Sequence, residues 1–477
     1  MPKNGTVVGI DSSTQSCKVL VVDAASGEVI SRGSSPHPDG TSVDPRAWIE
    51  ALNIAWDFAG VRQRTDVIGV GVSAQQHGMV ALDASGQPVY DALLWNDVRS
   101  APQAQAMVEK LSVQGWVDAV GTAPVSSITL TKLAWLRQQE PETADKLVSV
   151  GLPHDWILRH LTGGQWVTDR SDASGTGWFD PATNTVREDF LEQWFGRVPH
   201  LPTVLDPHHC AGNVAAQWLP HSPKAVVSAG CGDNAGAALG LGVEPGDVVV
   251  SVGTSGTVFA RSARPAPDPT GVTSGFADAT GQFLPLLCTL NAARVMARTA
   301  ALLGLPVDHL DALAADGAAD CGGLTLLPYL DGERTPNLPE ATGRWHGITG
   351  ESLTRENMAR SAIMGVANSL ADCLDVLRTL NVPVNRALLI GGGARSSQLR
   401  TALSHVLGVD IDVPAPDEYV ALGAARQAAW AALGELPTWQ AGAEGSQHIP
   451  HTHDDGATAY RQTYRTMRRQ LESETNS

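Results

Sequence analysis

Apolar residues gather in short runs separated by small polar turns, and the runs predict strands. Residues 6–10 read as a strand, Asp11-Ser12-Ser13-Thr14-Gln15-Ser16 as a polar turn, and residues 18–22 as a returning strand, so the opening segment predicts a hairpin. Residues 67–72 predict another strand, which breaks at 73–78 and re-emerges as the apolar run 79–82. Helical spacing covers residues 101–111 and 131–139. At 246–262, GDVVVSVGTSGTVFARS repeats the opening pattern of apolar strand, small polar turn and returning strand. The stretch LGLGVEPGD supplies glycine and proline at 242–245, which places a domain boundary there. RPAPDPTG at 264–271 reads as a surface loop, and the last 25 or so residues as a terminal helix with a frayed end.

A chain of 477 residues exceeds what one hydrophobic core usually supports, so two α/β domains are expected, 1–243 and 244–477. With 43% hydrophobic and 17% charged residues the composition is that of a globular protein. The net charge of −17 argues against nucleic acid or an anionic membrane as a partner. It does not exclude an anionic nucleotide, because backbone amides and a metal ion hold phosphates locally. MPKNGTVVGID carries no basic-then-apolar leader, and no apolar run nears the ~20 residues that cross a bilayer, so a cytoplasmic protein is expected. The six cysteines are scattered without a CxxC pair, which predicts reduced and mostly buried thiols.

Phosphoryl transfer needs groups to hold phosphates, a carboxylate for the metal, and an acceptor hydroxyl aimed at phosphorus. Three turns follow apolar runs and free backbone amides for an anion: DSSTQSCK at 11–18, VGTSGT at 252–257 and LIGGGARSS at 389–397. No GxxxxGK[ST] sequence occurs, which disfavours a P-loop kinase. Asp233, in SAGCGDNAGAALGLG, falls where a helix should begin, crowded by Gly230, Gly232 and Gly236 as though a ligand came close. A carboxylate there suits a general base for a sugar hydroxyl, although a simple helix cap explains its position equally well. SAQQHG at 73–78 and LLWNDVRS at 93–100 place amide, imidazole and carboxylate groups after apolar runs, as polyol recognition requires.

Together these motifs resemble the FGGY family of carbohydrate kinases. The resemblance rests on SITLTKLAWLRQQ with Lys132 and Trp135, LPYLDGERTP followed by ATGRWHGIT, LLIGGGARSSQLRTALSHVLGVDIDVP, and ALGAARQAA, and it covers nearly the whole chain. It implies two actin/Hsp70-like (ribonuclease H-like) domains with an interdomain catalytic cleft, closing about a hinge near Gly242. The N-terminal domain would bind the sugar and the C-terminal domain the nucleotide. By the same resemblance Asp233 is the catalytic base and contacts sugar with Asn234. Gln76 and His77, with Asn96 and Asp97, bind the sugar. Asp11 serves catalysis and, with Asp233, magnesium. Thr14, Thr254, Ser255, Gly256, Gly391, Gly392, Gly393 and Ala394 bind ATP. The implied cofactors are ATP and Mg2+, and the resemblance is compatible with a homodimer. Gln76-His77-Gly78 with the Trp95-Asn96-Asp97 segment is most similar to members that phosphorylate xylulose, with ribulose, gluconate and glycerol as alternatives. Ser13 stands where the family turn carries glycine, and a positive φ there would strain it. A signalling ATPase or silent sugar sensor of the same fold would need the phosphate turns but not Asp233, His77 and the Trp-Asn-Asp run.

Overall fold

The computed structural model describes residues 5–439 and 445–475, which divide into two compact units. One takes in the chain through Val243, Ala263–Leu284 and the segment from Asp417 that forms the helix Tyr419–Leu433. The other takes Glu244–Ser262, Pro285–Pro416 and the stretch ending in the helix Asp455–Thr475. The frayed end expected beyond that helix lies outside the described residues.

In the first unit the strands run in the order Cys210–Asn213, Val226–Ser228, Val67–Ala74, Thr6–Ser12, Ser16–Asp23, Val29–Pro36, with Cys231–Gly232 also paired to Val67–Ala74. The expected opening hairpin is present and longer than its apolar runs. Asp11 and Ser12 belong to the first strand and Ser16 to the second, and Asp11 faces Lys18 across the antiparallel pair. Val8, Ile10, Val19 and Val21 pack on one face against Leu52 and Trp56 of the helix Arg46–Phe58 and Ile157 and Leu161 of the helix Pro153–Thr162. Val7, Leu20 and Val22 pack on the other against Leu422, Ala425 and Ala429 of Tyr419–Leu433. The period of two along each strand therefore feeds two cores, because side chains alternate across a sheet.

The run 79–82 forms the strand Val80–Leu82 as expected, and its partner is not Val67–Ala74 but Ser149–Gly151. Both edges of Val67–Ala74 are already taken, by Thr6–Ser12 on one side and by Val226–Ser228 and Cys231–Gly232 on the other. The helix Ala101–Leu111 has its expected bounds, the helix Val113–Val120 follows it, and the helix expected over 131–139 begins at Thr129, two residues early.

In the second unit Phe283–Thr289, Gly256–Ala260, Asp247–Val252, Arg386–Ile390, Asp410–Val413 and Gln447–Ile449 are hydrogen-bonded in that order. The repeat read from sequence is real at this level. In each unit an antiparallel hairpin adds a parallel strand beside its first member, Val67–Ala74 in one and Arg386–Ile390 in the other. Among the described residues no helix is long and apolar enough to cross a membrane.

Cys17, Cys231, Cys321 and Cys373 are buried, Cys288 is half-buried and Cys210 is exposed. Exposure controls access of a reagent to a thiolate. A thiol reagent added to the native protein should label Cys210 first, and Cys210→Ser should remove that fast phase. Prompt labelling of Cys231 as well would show that the core around the Gly232 turn opens readily.

Candidate active site

The first unit gathers two acids at the ends of central strands. Asp11, 2% exposed, lies opposite Ser73 in the parallel register. Burial lifts its carboxyl to about 6, against the opposing pull of the Ser13 hydroxyl and the Lys18 ammonium. Ser13 donates its hydroxyl proton to Asp11 Oδ1 and does not adopt a positive φ, so serine at the usual glycine position is unstrained and hydrogen-bonded. Lys18 is held by Glu418 at 2.6 Å.

Asp233 opens the helix Asp233–Leu241, with Gly232 as its N-cap. Part of the residue is open to solvent, but the protein around the carboxyl strips its hydration. That burial, followed by repulsion from Asp11, raises its pKa to about 7. Oδ1 accepts the Asn234 N–H at 2.8 Å and the Asn234 amide at 2.9 Å, while Oδ2 accepts no hydrogen bond among the described residues. Asn234 thus orients the acid. Two carboxyls that repel one another and are both raised by burial form a hard-oxygen pair that a divalent cation would relieve, so the donor set fits Mg2+.

Gln76 and His77 follow the strand Val67–Ala74. Gln76, 6% exposed, donates its amide to the Ser171 carbonyl at 3.1 Å. His77 takes φ = 68°, an unusual conformation for a non-glycine residue and one met at functional turns. Its Nδ1 lies 3.0 Å from the Gly175 carbonyl. A carbonyl only accepts, so Nδ1 carries the proton, and a neutral ring then keeps its lone pair on Nε2. The ring leans on Phe276 at 5.4 Å. In the Trp-Asn-Asp segment, Trp95 is exposed and donates its indole N–H to Thr14 Oγ1 at 2.9 Å, which joins this segment to the opening turn. Asn96 Oδ1 is buried without a hydrogen-bond partner, a vacant acceptor beside the turn. Asp97 is spent internally: it accepts from Thr41 Oγ1 and from Arg99 N and Nε. Burial pushes its carboxyl up, but Arg99 and Thr41 outweigh that and hold it below its usual value.

In the second unit the turn at 252–257 is tied back to the chain that follows it. The carbonyls of Gly253 and Thr254, which would repel a phosphate, accept from the amides of Ala292, Ala293 and Arg294 at the start of the helix Ala293–Leu302. Thr254 and Gly253 are exposed, Ser255 half-buried and Gly256 buried. Gly391, at φ = 89°, turns the chain out of the strand Arg386–Ile390, and Gly392 and Gly393 begin a short 3-10 turn with Ala394 buried beneath. The next helix, Ser397–Val406, offers no open N-terminus, because Asp311 accepts from Ser397 N at 2.6 Å and Gln398 N at 3.3 Å.

Sequence reasoning missed two features. Gln75 is wholly buried with neither amide atom hydrogen-bonded. The short helix Arg170–Ala173 brings Ser171 and Asp172 beneath the Gln76 and Gly232 turns, with His154, Asp155 and Asp169 as buried neighbours. The run Thr168-Asp169-Arg170-Ser171-Asp172-Ala173-Ser174-Gly175 was a legible signal, a dense polar stretch between apolar flanks.

The profile described as the FGGY family of carbohydrate kinases, N-terminal domain, matches residues 6–240, and that of the C-terminal domain matches 248–432. The chain belongs to this family. Among its relatives, a protein named xylulose kinase from Streptomyces coelicolor is 46% identical over 90% of this chain and 88% of its own length. One of the same name from Escherichia coli is 32% identical over 97% and 99%. The solved xylulose kinase of Bifidobacterium adolescentis superposes with a TM-score of 0.89 at 42% identity, covering 96% of this chain and 99% of that one. Glycerol kinase of Plasmodium falciparum, at 18% identity and a TM-score of 0.83, shares the fold. The FGGY chain is accordingly an ATP-dependent sugar kinase with the two-domain actin/Hsp70-like fold.

Proposed function

We propose that this kinase phosphorylates D-xylulose on its C5 hydroxyl. The observation that carries the reading is full-length similarity, at 42–46% identity, to proteins named xylulose kinase. It is supported by the Gln76-His77 turn beside a buried pair of acids. Gln76, His77 and Asn96 hold the sugar hydroxyls, and Asp233 Oδ2 takes the C5 hydroxyl proton as that oxygen bonds to the γ-phosphorus of ATP and ADP leaves. Asp97 acts indirectly, by fixing the segment that carries Asn96. Thr14, Thr254, Ser255 and Gly256, with Gly391, Gly392, Gly393 and Ala394, hold the nucleotide. Asp11 and Asp233 are the residues that would hold Mg2+, which when bound neutralises phosphate charge. The unit that takes in the chain through Val243 acts as the sugar-binding domain and the unit that begins at Glu244 as the nucleotide-binding domain, with Ala263–Leu284 and the helix Tyr419–Leu433 returning to the former, and an ATP-consuming reaction of this kind fits the cytoplasm.

The test is ADP release with Mg-ATP across D-xylulose, D-ribulose, L-ribulose, gluconate and glycerol, beside a sugar-free control. D-Xylulose should give the highest kcat/KM, by at least about tenfold over each rival, since a buried polar site rejects ligands that leave its groups unpaired. A higher kcat/KM on another sugar would move the specificity and keep the mechanism.

A further inference from the structure

We propose that Ser171 is the positioning residue that holds the sugar turn and the base turn in one register. The inference rests on Asp233 as the base and on Gln76 and His77 as sugar contacts. Ser171 is fully buried and serves both turns at once. Its carbonyl accepts the Gln76 amide at 3.1 Å, and its hydroxyl accepts the Gly232 N–H at 3.0 Å. The hydroxyl has a single proton, which goes to Asp169 Oδ2 at 2.6 Å. Asp169 also takes the Ser171 and Asp172 backbone amides, at 2.7 and 3.1 Å, so the short helix and the rotamer of Ser171 are set together. With the proton committed to Asp169, one of the two lone pairs of Ser171 Oγ accepts the Gly232 N–H. Asp233 is the next residue along the chain, so this hydrogen bond, together with the one Ser73 Oγ donates to the Gly232 carbonyl at 3.1 Å, fixes the turn from which the base projects.

Two further contacts make the register stiff. Four residues on, the Gly175 carbonyl receives His77 Nδ1. A Cβ on Gly232 would lie 2.6 Å from Gln76 Cδ, so the two turns touch, and displacing one displaces the other. Behind them, a Cβ on Gly230 would overlap the imidazole of His154, whose Nδ1 lies 3.1 Å from Asp155 and 3.4 Å from Asp172. Ser171, His154, Asp155, Asp169 and Asp172 are all buried, so no bulk water stands ready to replace a lost partner. Misplacing a reacting group by a fraction of an ångström is enough to slow catalysis strongly.

The experiment compares the wild-type full chain with Ser171→Ala, Ser171→Cys and Ser171→Thr. It measures kcat, KM for D-xylulose and for ATP, sugar-free ATP hydrolysis and Tm. Cysteine keeps the volume but is a poor acceptor, and threonine keeps the hydroxyl. The expected result is a kcat lower by about thirtyfold in Ser171→Ala and about tenfold in Ser171→Cys, with KM for ATP within about twofold. Sugar-free hydrolysis should rise at least about fivefold relative to sugar-dependent ADP release, and threonine should restore kcat to within about threefold. Wild-type kcat in both Ser171→Ala and Ser171→Cys would overturn the proposal. So would a loss of kcat that follows the folded fraction given by Tm, with the hydrolysis ratio unmoved, because that marks a purely structural role. Should Ser171→Ala fail to fold, Ser171→Cys alone decides on the same ratio. A wild-type chain that releases ADP only without sugar dependence would instead overturn the kinase reading on which the proposal rests.

Discussion

Replacing Asp233 with alanine is expected to lower kcat by about a thousandfold while leaving Mg-ATP affinity within about threefold. Three observations set the size of the effect. Asp233 Oδ1 is engaged by Asn234 and Oδ2 accepts no hydrogen bond among the described residues, so one oxygen is oriented and the other presented. Burial and the neighbouring Asp11 lift its carboxyl to about 7, which makes it a far better proton acceptor than an ordinary aspartate while leaving a useful fraction ionised near neutrality. Asp11 sits on a separate strand and keeps its place when Asp233 is truncated, so nucleotide binding loses at most one of the two acids offered to the metal. Asp233→Asn separates the roles: it keeps an oxygen for Asn234 and the sugar contact but has no basic group. It should therefore show the kcat of the alanine variant with a KM for D-xylulose nearer the wild type. Steady-state kinetics and calorimetric titration of Mg-ATP decide the matter, and kcat within tenfold of wild type in both variants would remove Asp233 as the base.

Legibility in the sequence followed the range of the physics. The two hairpins could be read because strand alternation and turn chemistry are local. Asp233 could be read because a carboxylate at a helix start, hemmed by glycines, is a local pattern too. The fate of residues 79–82 could not be, since it depended on which strands had already claimed the edges of Val67–Ala74. The return of Tyr419–Leu433 to the first unit was equally hidden. Its sequence is an unremarkable alanine-rich helix, and its partners Val7 and Leu20 lie some four hundred residues earlier. Ser171 looks in isolation like part of a capped turn. Its role appears only when Gln76, 95 residues away, and Gly232, 61 residues away, arrive on its two oxygens. Asp97 taught the converse, because a sequence position well suited to sugar proved to be filled by Arg99 and Thr41.

Substituting Gly423 with alanine is expected to destabilise the first unit by about 3 kcal/mol and to reduce activity with it. The helix Tyr419–Leu433 crosses the helix Asp233–Leu241 with backbone against backbone. A Cβ on Gly423 would lie 1.9 Å from the Gly236 carbonyl oxygen and 3.0 Å from its Cα. Neither neighbour is a flexible side-chain end, so no rotamer change relieves the overlap and the helices must separate. Separation opens the packing that Leu422 and Ala425 make with Val7 and Leu20, so the cost combines strain with lost burial. It also moves Gly236, three residues after Asp233, and with it the helix that aims the base. Thermal unfolding should shift down by roughly 6–12 °C for a unit of this size, and kcat should fall by about tenfold at temperatures where the variant stays folded. Gly350→Ala is the control: nothing lies within 4 Å of its added carbon, and it should change stability by less than about 0.5 kcal/mol. If Gly423→Ala melted with the wild type and kept its kcat, the two helices would have to tolerate a gap, and their close approach would have no part in placing Asp233.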